Sequence, residues 1–273
     1  MSLDPCDEYD ALLRAARALV EWEEEVGGAG FPAVEAPPLP DVRVEPTVTP
    51  PAPVEPAVPR REPATTAVRE RPAPASAQRE GAPSKAARLA LLASEAAACT
   101  ACDLHRERQK SVFSRGSIDA ELMFVGEGPG QQEDLQGEPF VGPAGQLLDR
   151  MIAAMGYARD EVYICNVVKC RPPGNRAPSP AEAGACRDFL DGQIDAVRPR
   201  LIIALGRSAA ERLALVPESG RWRGEFGEYR GITTLATFHP AYLLRSPEQK
   251  KVVWADLKRA LQFLGKSPPT ASR

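Results

Sequence analysis

Apolar residues between positions 8 and 25 recur at helical spacing: Leu12, Leu13, Ala16, Leu19, Val20 and Trp22. The pattern predicts a short amphipathic helix with an acidic end. Periodicity then stops. Residues 32–83 hold 14 prolines among Ala, Val, Glu and Arg. Proline fixes φ and removes a donor, so neither helix nor sheet ladder propagates there. With few large apolar side chains to offset ordering entropy, the stretch is expected to be a disordered, semi-extended linker.

The pattern resumes at residue 84. Ala86–Ala98 predicts a helix. Four apolar runs, Glu121–Gly126, Val162–Val168, Leu201–Gly206 and one within Gly231–Phe238, predict strands. Helices are predicted over Ala144–Met155, from Pro180 to about Val197, over Ser208–Leu215 and over Pro247–Leu264. The start at Ser179 is marked by a capping residue, a first-position proline and Glu182 completing the box. Apolar strands alternating with helices imply an α/β fold of three layers, with a central four-stranded parallel sheet covered on both faces. The expected organisation is an N-terminal helix in residues 1–31, a Pro-rich linker in 32–83, a folded domain in 84–266 and a disordered tail in 267–273.

Charge divides the chain in the same place. Residues 1–83 carry 8 Arg, no Lys and 15 acidic residues, a formal −7, and the remainder carries +4. A mildly basic folded part permits nucleic acid as a partner without requiring it. No run of about 18 apolar residues occurs, so no membrane span is expected. The first ten residues, MSLDPCDEYD, lack a basic region followed by an apolar one and do not read as a secretory signal. A cytoplasmic location with reduced thiols is expected, so the six cysteines read as metal ligands or core residues and not as disulfides.

In an open parallel sheet, ligands bind beyond the carboxyl ends of the strands. That rule selects the loops Gly126–Asp134, Lys169–Arg176, Gly206–Ser208 and Phe238–Arg245. The first lacks the lysine of a phosphate loop and is not expected to run into a helix, and GxGxxG fails, so a nucleotide cofactor is disfavoured. No GxSxG elbow is present and the chain has two histidines, which fits a Ser–His hydrolase poorly. Cys99 and Cys102 form a CxxC, and Cys170 and Cys186 follow with 15 residues between them. Four thiolates from two distant segments could bind zinc or an iron–sulfur cluster. Cys165 lies mid-strand and reads as a core residue.

Together, Gly126-Glu127-Gly128-Pro129-Gly130, Glu138–Gly145 (EPFVGPAG), Asn166–Pro172 (NVVKCRP) and His239–Leu244 (HPAYLL) resemble the family-4 uracil-DNA glycosylases. The resemblance covers residues 84–265 or so and leaves 1–83 outside it. It implies a [4Fe–4S] cluster on Cys99, Cys102, Cys170 and Cys186. It implies uracil-containing DNA as substrate, with the base flipped into a pocket and its N-glycosidic bond hydrolysed in DNA repair. Carried over residue by residue, Phe140 would stack on uracil, and Asn166 would read N3–H and O4. His239 would donate to O2 as the base leaves. Glu127 and Gly128, with Pro129 beside them, would contact uracil and the attacking water, and Glu133 would face C5 and exclude a thymine methyl. Leu243 and Leu244, taken as lying in a loop, would enter the DNA stack, the position after His239-Pro240 favouring Leu243. No lysine is expected in the pocket, so a monofunctional enzyme without a lyase step is implied. The segment between Cys170 and Cys186 has no histidine, so turnover is expected instead of covalent trapping. The protein is expected to be a monomer, with the N-terminal extension a candidate for contacting a protein partner.

Overall fold

The computed structural model describes residues 83–269, apart from Ala214, Pro217, Glu218, Ser219 and Arg221. The amphipathic helix and Pro-rich linker expected in residues 1–82 lie outside the described residues. Helix α1 (Lys85–Ala98) starts where Ser84 Oγ accepts from the Ala87 amide at 3.2 Å. Cys99 and Cys102 follow its end. The sheet is built from β1 (Ser114–Gly116), β2 (Leu122–Gly126), β3 (Tyr163–Asn166), β4 (Leu201–Leu205), β5 (Phe226–Tyr229) and β6 (Ile232–Thr237). Between and after them run α2 (Gln131–Gln136), α3 (Pro143–Ala154), α4 (Pro180–Ala185), α5 (Arg187–Val197), α6 (Arg207–Arg212), α7 (Pro240–Leu243) and α8 (Lys250–Leu264).

The strand order is β1-β3-β2-β4-β6-β5. The four expected strands are the parallel centre, β3-β2-β4-β6. Two antiparallel edge strands flank them, β1 against β3 and β5 against β6. These escape a sequence reading because both are short and half-exposed, so they carry no apolar run. β2 and β4 are buried along their whole length, as strands covered on two faces must be. Alternate residues feed two cores. Leu122, Phe124, Ile164, Leu201, Ile203 and Leu235 pack against α3 and α8. Met123, Val125, Tyr163, Cys165, Ile202 and Ala204 join Leu89 of α1 and Leu190 and Ile194 of α5. Cys165 is thus a core residue.

Three local expectations need correction. The helix expected from Pro180 to Val197 breaks at Cys186, which ends α4 and begins α5 with φ −93° and ψ 0°. The Ser179–Glu182 capping box itself forms, with Ser179 Oγ accepting at 3.2 Å and Glu182 Oε2 accepting at 2.7 Å. The glycine loop after β2 does run into a helix: Gly130 caps α2, a polar turn and a half without an apolar stripe to announce it. The loop after β6 is also helical. His239 Nδ1 accepts from the Ala241 amide at 3.1 Å and so caps α7.

Candidate active site

The parallel strands end together, and their loops enclose a cavity of about 390 Å³. Glu127, Gly128, Pro129, Glu133, Phe140, Asn166 and His239 all line it. The seven residues singled out in the sequence for contact with the base, spread over 113 positions, therefore face one space. Gly126 and Asn166 are register partners at the ends of β2 and β3. Asn166 is buried, and its Oδ1 has no hydrogen-bond partner. A buried orphan acceptor costs about 1–3 kcal/mol. At the wall of a cavity it marks where a ligand's donor belongs.

Phe140 forms another wall. Its backbone takes φ 56°, a conformation few bulky side chains adopt. Three neighbours hold it there. Arg159 donates to the carbonyls of Pro139, at 3.1 Å, and Phe140, at 2.5 Å, and its guanidinium pairs with Asp149. Gly145 lies so close that an added Cβ would stand 1.9 Å from the Phe140 oxygen. Glu133 accepts from the Val141 and Gly142 amides, both at 2.9 Å, and from the Gly130 amide at 3.1 Å. Both Glu133 oxygens are therefore occupied by backbone, so its carboxylate ties two loops together.

The His239 ring stacks on Phe140, with centroids 5.6 Å apart and planes 28° apart. Burial and the nearby Arg245 push its pKa down to about 4. It is neutral at neutral pH, and because Nδ1 accepts from Ala241, its proton is on Nε2. Glu127 is pushed above its ordinary value by burial. Arg176 and Arg245 reach the same cavity, as does Tyr242. Tyr242 lies within HPAYLL, but an aromatic between apolar residues gave no separate sign of a role.

The two leucines after His239 differ. Leu243 is wholly buried in the α3–α8 core, and Leu244 is 45% exposed. The preference for Leu243 as the residue entering DNA is corrected. On a short helix, adjacent residues point to different sides, and α7 turns Leu243 inward.

Cys99, Cys102, Cys170 and Cys186 line a second, smaller cavity. Arg108 Nη1 donates to Cys170 Sγ at 3.1 Å, and the Lys169 amide donates to Cys186 Sγ at 3.4 Å. Among the described residues no three His, Cys, Asp or Glu converge as a single ion requires. Thiolates around one tetrahedral zinc would sit only about 3.8 Å apart. Four thiols lining one small cavity are a donor set that a zinc ion or an iron–sulfur cluster takes. Lys169, missed in the sequence, links the two sites. It is buried, and its Nζ donates to the Asn166 carbonyl at 2.6 Å and to Gln193 Oε1 at 2.5 Å.

Fold and cavity together define a domain of the uracil DNA glycosylase superfamily, whose family profile matches residues 113–258. The chain is 44% identical over 179 residues to the type-4 uracil-DNA glycosylase of Thermotoga maritima, covering 62% of this chain and 90% of that one. It is 41% identical to the type-4 enzyme of Archaeoglobus fulgidus, covering 64% and 93%. To that of Saccharolobus solfataricus it is 40% identical, covering 67% and 89%. The chain belongs to the type-4 uracil-DNA glycosylase family.

Proposed function

We propose that this protein removes uracil from DNA by hydrolysing the bond between uracil N1 and the deoxyribose, releasing free uracil and leaving an abasic site. The observation that carries the reading is the unpartnered, buried Oδ1 of Asn166 at the wall of the cavity. Uracil offers a donor at N3 to that oxygen and an acceptor at O4 to the amide nitrogen. Cytosine reverses both and would leave the amide unpaired. Phe140 stacks on the base, which is worth about 1–3 kcal/mol.

His239 presents Nε2–H to uracil O2. As the glycosidic bond lengthens, negative charge grows on the base, and a fixed donor already oriented there stabilises it. Glu127 holds the water that attacks the sugar carbon. Bond breaking that runs ahead of attack needs no stronger base. Glu133 shapes the C5 side of the pocket through the loops it ties. The attacking group in this reading is a bound water and not a side-chain amine, so no Schiff base forms and the enzyme is monofunctional. Cys99, Cys102, Cys170 and Cys186 would hold a [4Fe–4S] cluster, and their thiolates would then tie the segment after α1 to the loop after β3 and the α4–α5 junction. The enzyme works as a cytoplasmic monomer on uracil-containing DNA.

The test is uracil release from oligonucleotides by anaerobically purified protein. Strand breaks should appear only after alkali and should fall at least about 100-fold in Asn166→Ala and His239→Ala. No uracil release from iron-loaded wild type would overturn the glycosylase reading. Strand scission without alkali would overturn the monofunctional one.

A further inference from the structure

The uracil cavity does not stand alone. It shares Glu127, His239 and Tyr242 with a second hollow of about 490 Å³ beside the β4–α6 turn. That hollow shares Trp222 and Phe238 with a third, of about 870 Å³, running along α8. A continuous groove thus leads from the reaction centre across the face of the domain. Its floor is aromatic. Tyr242 and Phe238 have ring centroids 4.9 Å apart, and Phe238 and Trp222 meet edge to face at 5.6 Å. All three rings are partly exposed.

Cations flank this floor. Arg223 lies 5.1 Å over the Phe238 ring and is fixed by Asp256 at 3.0 Å, and Asp256 also accepts from Thr237 Oγ1 at 2.7 Å. Lys251 and Arg259 continue the third hollow, and Arg207 borders the second. Of the acids in the groove, Glu127 belongs to the uracil cavity as well, Asp256 is paired with Arg223 and Glu211 with Arg207 at 2.7 Å; these two pairs are neutral, and the positive charge of the groove rests on Lys251 and Arg259. Glu225 also lines the third hollow. Successive aromatic faces with cations beside them are what an unpaired nucleic-acid strand binds: any base can stack, and the phosphates meet the charges.

Resting on the glycosylase reading above, we propose that this groove is the track of the DNA strand on one side of the flipped uridine. Its unpaired bases stack on Tyr242, Phe238 and Trp222, and its phosphates lie over Lys251 and Arg259. A base still paired in a duplex cannot reach these rings, so the groove favours single-stranded substrate. It also has a polarity, because it leaves the cavity in one direction.

The experiment compares Trp222→Ala and Trp222→Phe with wild type on single strands carrying uracil centrally, near the 5′ end or near the 3′ end. Trp222→Ala should raise KM about tenfold for central uracil with kcat retained, and Trp222→Phe should restore most of it. The effect should vanish for one of the two end-placed substrates. Uracil-free oligo(dT) should quench the fluorescence of wild type more than that of Trp222→Phe, a readout that needs no catalysis and no alanine variant. Lys251→Gln should lower the salt slope of binding by about one. Equal KM values across all substrates, or identical quenching in wild type and Trp222→Phe, would overturn the proposal. Wild type that releases no uracil yet shows the Trp222-dependent quench would instead sink the glycosylase reading and leave the groove standing.

Discussion

Gly126 and Asn166 stand opposite one another at the ends of β2 and β3, and an added Cβ on Gly126 would lie 2.4 Å from Asn166 Oδ1 and 2.5 Å from Phe140 Cζ. The absence of a side chain at 126 is what leaves room between the amide and the ring. Gly126→Ala is expected to close that room. Uracil release should fall at least about 100-fold, with a stability loss of about 1–3 kcal/mol from overpacking, measured by thermal unfolding beside the activity assay. An alanine variant with wild-type kcat/KM would show that the base does not enter between these two residues.

The Phe140 conformation yields a second expectation. Glu133 and Arg159 do not stack on anything; they hold the backbone on which Phe140 stands. Glu133→Gln replaces an acceptor of three amide hydrogens with a group that has one oxygen to offer. Arg159→Met removes two bonds to carbonyls. Both variants should raise KM for uracil-containing DNA several-fold more than they lower kcat, and both should unfold at lower temperature. Unchanged KM in both would mean that the left-handed backbone at Phe140 persists without them.

Much of this site was legible in the sequence because its residues fall at strand ends. Asn166 is the polar residue within one apolar run and His239 directly follows another, both runs reading as central strands, and the topology then brings them together. The edge strands β1 and β5 were not legible, since three or four half-exposed residues carry no periodic signal. The way Glu133 is held was not legible for a related reason. Its sequence position shows a carboxylate near the pocket, while its three amide donors come from Gly130, Val141 and Gly142, whose positions depend on how two loops close. Lys169 lay hidden inside a motif dominated by its neighbours Asn166 and Cys170.

A pH dependence follows from His239. Burial and Arg245 hold its pKa at about 4, with Glu133 pulling weakly the other way, whereas an unfolded histidine titrates near 6.5. Between these values the unfolded chain binds the proton and the native one does not. This residue's contribution to stability is therefore complete above about pH 6.5, declines as pH falls, and levels off below about 4. Protonation would also set two N–H groups against each other at Ala241. Glu127, raised by burial, works in the opposite direction, so the difference between wild type and His239→Gln is the informative quantity. That difference should shrink by on the order of 3 kcal/mol from pH 7 to pH 4. A difference constant across the range would remove His239 as its source.

The four cavity cysteines should behave as a unit and Cys165 should not. Cys170→Ala removes one anchor between the end of β3 and the segment after α1, so iron and soluble fold are expected to disappear together. Cys165→Ala removes only a buried sulfur from the sheet core and should keep its iron and its absorbance near 400 nm. Iron content per chain and the visible spectrum check both. A Cys170→Ala protein that is folded, active and free of iron would contradict a structural role for the cluster.

The two adjacent leucines at the end of α7 allow stability and DNA binding to be separated. Leu243 is packed on all sides in the α3–α8 core, so Leu243→Ala should cost about 2–5 kcal/mol by opening a cavity. Any loss of activity in it should follow the loss of folded protein. Leu244 is exposed and lies in sequence between the cavity-lining Tyr242 and Arg245, and Leu244→Ala should change stability by less than about 0.5 kcal/mol. An apolar wedge acts by filling the gap left when a base leaves a stack, and the intact stack of a duplex is where that gap is most costly. The Leu244→Ala defect should therefore be greater on duplex than on single-stranded substrate, by about tenfold. If both substrates are processed as by wild type, Leu244 is not the wedge, and the burial of Leu243 leaves the exposed Tyr242 as the next residue to truncate on this helix.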